Sequence, residues 1–295
     1  MNDAHCHFFS TQFFTTLATQ RGKGDSPSQL CRELEWDDPG TAWQLADRWL
    51  REMDAADVSR AALIASVPGD ETSVAAAVAA HNDRFVGFFM LDPSAGDGAE
   101  RAWRAVTRLG LRGICLFPAM NHVPLDDERV KRVVEVAEAH PGTAVFVHCG
   151  VLSVGVRKKL GLVSRFDMRL GDPLGVTRLA AAFPSVPFII PHFGAGLFRE
   201  AMMAADLCPN VHLDTSSSNG WLRYTPGLTL DDVFKTALAV AGPSRLLFGT
   251  DSSFFPRGWQ RSIFDTQKAV VARLGVSDAD QALIFGGNFD RLFPA

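Results

Sequence analysis

His5 and His7 stand two residues apart near the start of the chain, with Asp3 two residues before the first of them. Side chains of a β-strand alternate between faces. The spacing therefore predicts Asp3, His5 and His7 on one face, and Ala4, Cys6 and Phe8 on the other. Two imidazoles brought to one point near a strand end are half of a metal site. Read alone, they are equally a polar terminus that happens to hold two histidines. Three more polar residues close apolar runs further along. His148 ends Val145-Phe146-Val147-His148, His192 ends Phe188-Ile189-Ile190-Pro191-His192, and Asp251 ends Leu246-Leu247-Phe248-Gly249-Thr250-Asp251. A lone histidine in such a place is commonly a satisfied structural residue. Four of the eight histidines at strand ends, with a carboxylate, are hard to explain as independent accidents. Imidazoles with a carboxylate suit zinc or a similar divalent ion that keeps a position open for water.

These ends matter only if the chain's elements carry them to one place. Short apolar runs begin near residues 2, 61, 85, 112, 144, 186, 211 and 245, and each is followed by a stretch of helical spacing. The runs are mostly continuous rather than alternating, as in parallel strands covered on both faces. Repeated strand–helix units imply an α/β fold. Eight of them favour a closed (β/α)8 TIM barrel over an open sheet, as one domain over residues 1–295. No Gly-x-Gly-x-x-Gly follows any strand, which removes the main sign of dinucleotide binding. The segments near 11–38 and 151–173 read as insertions, the first as an elaborated loop with room for a short helix. In such a barrel the active site lies at the C-terminal ends of the strands, where the polar residues fall.

Composition bounds the function. A net charge of −4 and no sustained basic stripe argue against nucleic acid as a partner. No stretch approaches the ~18 uninterrupted apolar residues of a membrane span, and the start lacks a basic-then-apolar leader. Cys6, Cys31, Cys115, Cys149 and Cys208 are odd in number and show no Cys-x-x-Cys spacing, which fits reduced thiols in a cytoplasmic protein.

Asp3-x-His5-x-His7, His148, His192 and Gly249-Thr250-Asp251, each on its own strand, resemble the amidohydrolase superfamily. The likeness extends to the closing Gly287-Asn288-Phe289-Asp290-Arg291-Leu292-Phe293. It is nearest to the amidohydrolase-related branch of metal-dependent hydrolases and aminocarboxymuconate-semialdehyde decarboxylase-like enzymes. The resemblance implies His5, His7, His148 and Asp251 as metal ligands, and His192 as an unligated catalytic neighbour. Binuclear members place a lysine or glutamate on the fourth strand; Gly113-Ile114-Cys115-Leu116-Phe117-Pro118 has neither, which favours one ion, zinc first and manganese second. Such an ion would bring the pKa of a water to roughly 7. Asp251 would then take the proton, and His192 would polarise the substrate carbonyl or hold the developing oxyanion.

Asp3 is expected to support a ligand histidine rather than to ligate. Arg157 and Arg199 are candidates for a substrate carboxylate, with solvated loop arginines as the plain alternative. Asn121 and His122 follow the fourth strand and are candidate pocket residues. His212 and Asp214 share a face of the seventh strand, as interior packing or pocket wall. Trp221, Phe254, Phe255 and Trp259 suggest an apolar lid, although packing within long loops would look the same. The leading expectation is a metal-dependent hydrolase attacking an ester, lactone or amide carbonyl in a small anionic substrate. The alternative is a metal-dependent decarboxylase of an aromatic or enoic acid, and a third reading is a catalytically silent metal-binding barrel. A homo-oligomer is compatible with the sequence.

Overall fold

Ala, Val, Ile, Leu and Phe dominate the strands, and their burial on two sides forces a layered arrangement. The computed structural model describes residues 1–295. It has eight parallel strands: β1 (Asn2–Phe8), β2 (Arg60–Ala65), β3 (Phe85–Leu91), β4 (Gly113–Leu116), β5 (Ala144–Val147), β6 (Phe188–Ile190), β7 (Val211–Asp214) and β8 (Leu246–Leu247). Each pairs with the next in chain order. The ring is joined where the chain beyond β8 meets β1, through Ala4 N to Phe248 O (2.8 Å), Asp251 N to His5 O (2.9 Å) and His7 N to Ser252 O (2.7 Å). The fold is the expected (β/α)8 barrel. No helix is long and apolar enough to cross a membrane.

Alternation along each strand separates two cores. Ala61, Leu63 and Phe89 point outward into the layer shared with the helices, while Ala62, Ile64, Phe88 and Phe146 fill the interior. Phe289 and Phe293, from the closing segment, join this inner cluster, with Phe293 against Phe88 at 5.3 Å between ring centres. The carboxyl-terminal helix Asn288–Leu292 thus plugs the end of the barrel opposite the polar strand ends.

Two expectations need correction. β1 does not alternate simply. Asp3 pairs with Ala61 but Cys6 pairs with Leu63, so three steps on β1 match two on β2 across a bulge. The extra residue turns Asp3 outward, on the side of Cys6, while Ala4, His5 and His7 face inward. The segment 11–38 is not mainly loop. It forms helices Thr11–Arg21 and Pro27–Leu34, started by Ser10 and by a Ser26/Gln29 capping box. Phe13, Phe14, Leu17, Leu30 and Trp36 from this segment pack with Val156 and Leu160 from the second insertion in a core of their own. The two insertions are one cap.

Candidate metal and active site

The strand ends carry their polar groups inward through unusual backbone. Pro191 stops β6, and His192, Phe193, Gly194, Ala195 and Gly196 all adopt positive φ, between 43° and 98°. Left-handed conformation costs a non-glycine residue roughly 1–2 kcal/mol, and such strain clusters at functional sites. Gly150, just past His148, must lack a side chain, because a Cβ there would overlap the Gly194 and Ala195 carbonyls. Asp251 also sits at positive φ (59°), held by its N–H to the His5 carbonyl.

Hydrogen bonds fix which nitrogen of each imidazole carries hydrogen. His5 Nδ1 lies 2.6 Å from Asp214 Oδ2, and a carboxylate only accepts, so Nδ1 is the donor. His7 Nδ1 lies 2.7 Å from Ser66 Oγ. The Ser66 hydroxyl hydrogen goes to the Ile64 carbonyl (2.9 Å), so His7 Nδ1 is also a donor. Both Nε2 atoms therefore present lone pairs, and they face each other at 3.4 Å. Asp251 Oδ1 joins them at 3.1 Å from His7 Nε2 and 3.7 Å from His5 Nε2. Three electron-rich atoms with no hydrogen between them call for a cation.

Burial disfavours the His5 imidazolium, but Asp214, with Asp251 and Asp3, outweighs it and the net shift is upward, so the carboxylates draw positive charge to this cluster, as a proton or as a metal ion. Burial would raise Asp251, yet His7, His5 and His192 hold it well below the usual carboxylate range. His148 is driven far below its ordinary value by burial and by His192 and His5, so it is a neutral donor. Its Nδ1 is buried with no partner. The donor set of His5, His7 and Asp251, with His148 beside it, fits a divalent ion in chemistry and in its unmet valence.

Ser216 links this group to His192. Ser216 Oγ lies 3.0 Å from His5 Nδ1 and 2.9 Å from His192 Nδ1. His5 Nδ1 already donates, so the hydroxyl hydrogen goes to His192, whose Nε2–H is then aimed away from Ser216. The Ser216 carbonyl, 3.3 Å from the same Nδ1, offers an acceptor for the imidazolium form. His192 can thus be held in either protonation state.

A cavity of about 830 Å³ opens above these groups, lined by His5, His7, His148, His192 and Asp251 at its floor. Four expected binding residues are not on its wall. Arg157 is used within the cap, donating to the Val163 carbonyl (2.9 Å), Ser164 and Gln20. Arg199 is exposed and bonded to Glu200. Asn121 ends the short helix after β4, behind Met120, which does line the cavity. Trp259 is buried, and its indole N–H donates to Asp3 Oδ2 (2.8 Å). Asp3 itself reaches His5 through the backbone, accepting the His5 N–H at 2.9 Å; the carboxylate that holds the ring is Asp214. Of the rim aromatics, Phe254 and Trp221 line the cavity, whereas Phe255 faces the outer core. The wall cations are Lys159, Arg223 and Arg257. None was singled out as a site residue in the sequence, because loop cations carry no periodicity. Asp214 carried a signal, two residues after an inward-facing His212.

A family model described as Amidohydrolase matches residues 3–295. Among curated proteins, 2-keto-4-carboxy-3-hexenedioate hydratase of Sphingobium sp. (strain NBRC 103272 / SYK-6) is 32% identical over 130 residues, 39% of this chain and 36% of that protein. Protein fluG of Emericella nidulans is 24% identical over 173 residues, 56% of this chain. The chain spans 18% of the length of fluG and 36% of the hydratase. Solved structures share the whole fold at low identity. The 5-carboxyvanillate decarboxylase LigW of Sphingomonas paucimobilis superposes with a TM-score of 0.66 at 18% identity, over 99% of this chain and 98% of the other. A probable 2-pyrone-4,6-dicarboxylic acid hydrolase of Acinetobacter baumannii, with citric acid bound, gives 0.63 at 14% identity, over 100% and 99%. A second 5-carboxyvanillate decarboxylase, LigW2 of Novosphingobium aromaticivorans with manganese bound, gives 0.65 at 15% identity, over 100% and 96%. The chain belongs to the amidohydrolase family and is an enzyme.

Proposed function

We propose that this enzyme is a metal-dependent hydrolase acting on a carbonyl-type bond in a small carboxylated molecule, with His5, His7, His148 and Asp251 holding one divalent ion. The observation that carries this is the convergence of His5 Nε2, His7 Nε2 and Asp251 Oδ1, with both imidazole hydrogens committed to Asp214 and Ser66. Nitrogen and oxygen donors favour zinc, with manganese as the second choice. Once bound, the ion supplies Lewis acidity and makes water acidic enough to react at neutral pH.

The protein's own groups handle the protons. Asp251 Oδ2 has no protein partner and is free to accept a proton from the attacking water and return it to the leaving group. His192 Nε2–H donates to the substrate carbonyl oxygen as negative charge develops there. The cap over the cavity limits bulk water around these groups.

Non-oxidative decarboxylation is a second reading. It is favoured by the Ser216 hydroxyl and carbonyl at His192 Nδ1, the first a donor to the neutral ring and the second an acceptor for the imidazolium, which let that ring hold a proton and release it to carbon. Carboxylated aromatic and unsaturated acids named for the relatives are the first compounds to try.

Metal analysis of protein purified without added metal should find close to one ion per chain, removed by chelation together with activity. Turnover in ¹⁸O-water should place label in the product for hydrolysis; unlabelled product with released CO₂ would establish decarboxylation instead. His192→Asn should keep the ion and lose at least about a hundredfold in kcat.

A further inference from the structure

The turn that carries Asp251 is closed by a residue from outside it. Beyond Ser252 the chain runs out through Phe254 and Phe255, then returns at Gly258–Gln260 to meet its own strand end. The return is tied down residue by residue. Gly258 N–H donates to the Phe254 carbonyl (3.0 Å), Trp259 N–H to Glu52 Oε2 (3.1 Å) and Gln260 N–H to Ser252 Oγ (2.9 Å). Ser252 Oγ lies 2.6 Å from Thr250 Oγ1, whose own hydrogen goes to Asp3 Oδ2 (2.6 Å), so the serine hydroxyl donates to the threonine. The Gln260 backbone is thereby fixed at the head of the helix Arg261–Arg273.

Its side chain then reaches two consecutive carbonyls. Gln260 Nε2 lies 3.0 Å from the Thr250 oxygen and 3.2 Å from the Asp251 oxygen. Carbonyls only accept, so the amide nitrogen must face them and the amide cannot be flipped. Successive carbonyls of an extended strand point opposite ways. One nitrogen can serve both only where the backbone turns between them, and Asp251 makes that turn at φ 59°. The conformation is unfavourable for a residue with a Cβ, so its neighbours must hold it. The Asp251 N–H is held by the His5 carbonyl (2.9 Å), and its C=O by Gln260, with a longer bond from Arg257 Nη2 at 3.4 Å. In this conformation Asp251 Oδ1 stands 3.1 Å from His7 Nε2 and 3.7 Å from His5 Nε2. Relaxing φ to the ordinary negative range would rotate the Cβ and carry the carboxylate off both imidazoles.

We propose that Gln260 is a positioning residue for Asp251, its side-chain amide clamping the Thr250 and Asp251 carbonyls so that the carboxylate is aimed at the two imidazoles. Gln260 acts through the backbone and touches neither ion nor substrate. Its effect on metal binding rests on the reading of Asp251 as a ligand; the clamp on the turn does not.

Gln260→Met keeps the length of the side chain and removes both donors. Val271→Ala, on the same helix, fully buried and away from the cavity, is the control for lost packing. Two readouts decide. In metal-free protein, hydrogen exchange at the Asp251 amide, followed by NMR, should quicken about tenfold in Gln260→Met, while the amides of β3 keep their wild-type rates. Zinc affinity, measured by competition with a chromophoric chelator, should fall about tenfold in Gln260→Met. It should stay at the wild-type value in Val271→Ala, although that variant melts at a lower temperature. An Asp251 amide that exchanges at its wild-type rate in Gln260→Met overturns the proposal. So does a zinc affinity that is the same in the two variants. Should wild type bind no ion, the metal reading falls by itself, and the exchange rate alone upholds or overturns the clamp.

Discussion

Gly249 shows how little room surrounds His5. A Cβ built there lies 2.9 Å from Asp214 Oδ1, from the His5 Cβ and from the Ser216 Cβ. The residue is needed because the carboxylate, the imidazole and the hydroxyl crowd against the backbone at this point. Gly249→Ala should push Asp214 off His5 and lower kcat/KM by at least about tenfold with only a modest loss of stability, as steady-state kinetics beside a thermal melt would reveal. Asp214→Ala removes the acceptor itself. His5 then loses the partner that fixes its tautomer, and metal affinity should fall roughly 10–100-fold, measured by competition with a chromophoric chelator. If affinity is untouched, the buttressing role of Asp214 is wrong. The meeting of His5, His7, His148, His192 and Asp251 was legible from sequence because the last three close apolar runs, the first two share the first strand, and the barrel brings strand ends together. The wall cations Lys159, Arg223 and Arg257 were not, because the short and irregular segments after β5, β7 and β8 give their residues no position from periodicity. Arg157 looked equally suitable, and only its bonds to Val163 and Ser164 remove it.

The β1 bulge is the element on which the floor's geometry depends. Without it, Asp3 would lie inside the barrel with the histidines. With it, the Asp3 carboxylate is fully buried outside the ring and accepts from His5 N–H, Thr250 N–H, Thr250 Oγ1 and the Trp259 indole. It ties β1, the Thr250–Asp251 turn and the following loop together. Asp3→Asn keeps the shape but turns an NH2 toward these donors. A loss of about 3 kcal/mol of stability is expected, read from the denaturant midpoint; a change below 1 kcal/mol would refute the buttressing role. Simple alternation could not reveal the bulge, since it adds one residue without any change in residue type. The helices of the cap were hidden differently. Thr11–Arg21 carries Thr15, Thr16 and Thr19, whose hydroxyls bond back to carbonyls four residues earlier, so its sequence resembles a polar loop. Ser26 followed by Gln29 was the readable sign of the second helix.

At the scale of the whole barrel, the polar mouth and the sealed base answer to different constraints. The base is closed by Phe289 and Phe293, and His212 lies near it on the inward side of β7, opposite Ile189. Its Nδ1 is buried without a partner. Burial first, then Arg291 and Arg245, lower its pKa from 6.5 to about 4. Between these two values the unfolded chain binds a proton at this residue and the folded chain does not. Stability must therefore rise with pH through that window, and fall as pH is lowered from about 6.5 toward about 4. One proton over this interval amounts to roughly 3 kcal/mol. The histidines at the mouth also exchange protons as pH changes, so the total slope does not isolate His212. The difference between wild type and His212→Leu does, because the two sets lie at opposite ends of the barrel and share no hydrogen bond. Denaturant titrations at pH 4.5 and 7 should show His212→Leu losing about 2 kcal/mol less than wild type on acidification. Equal losses in the two proteins would mean that His212 is protonated in the folded barrel, and that its base admits water.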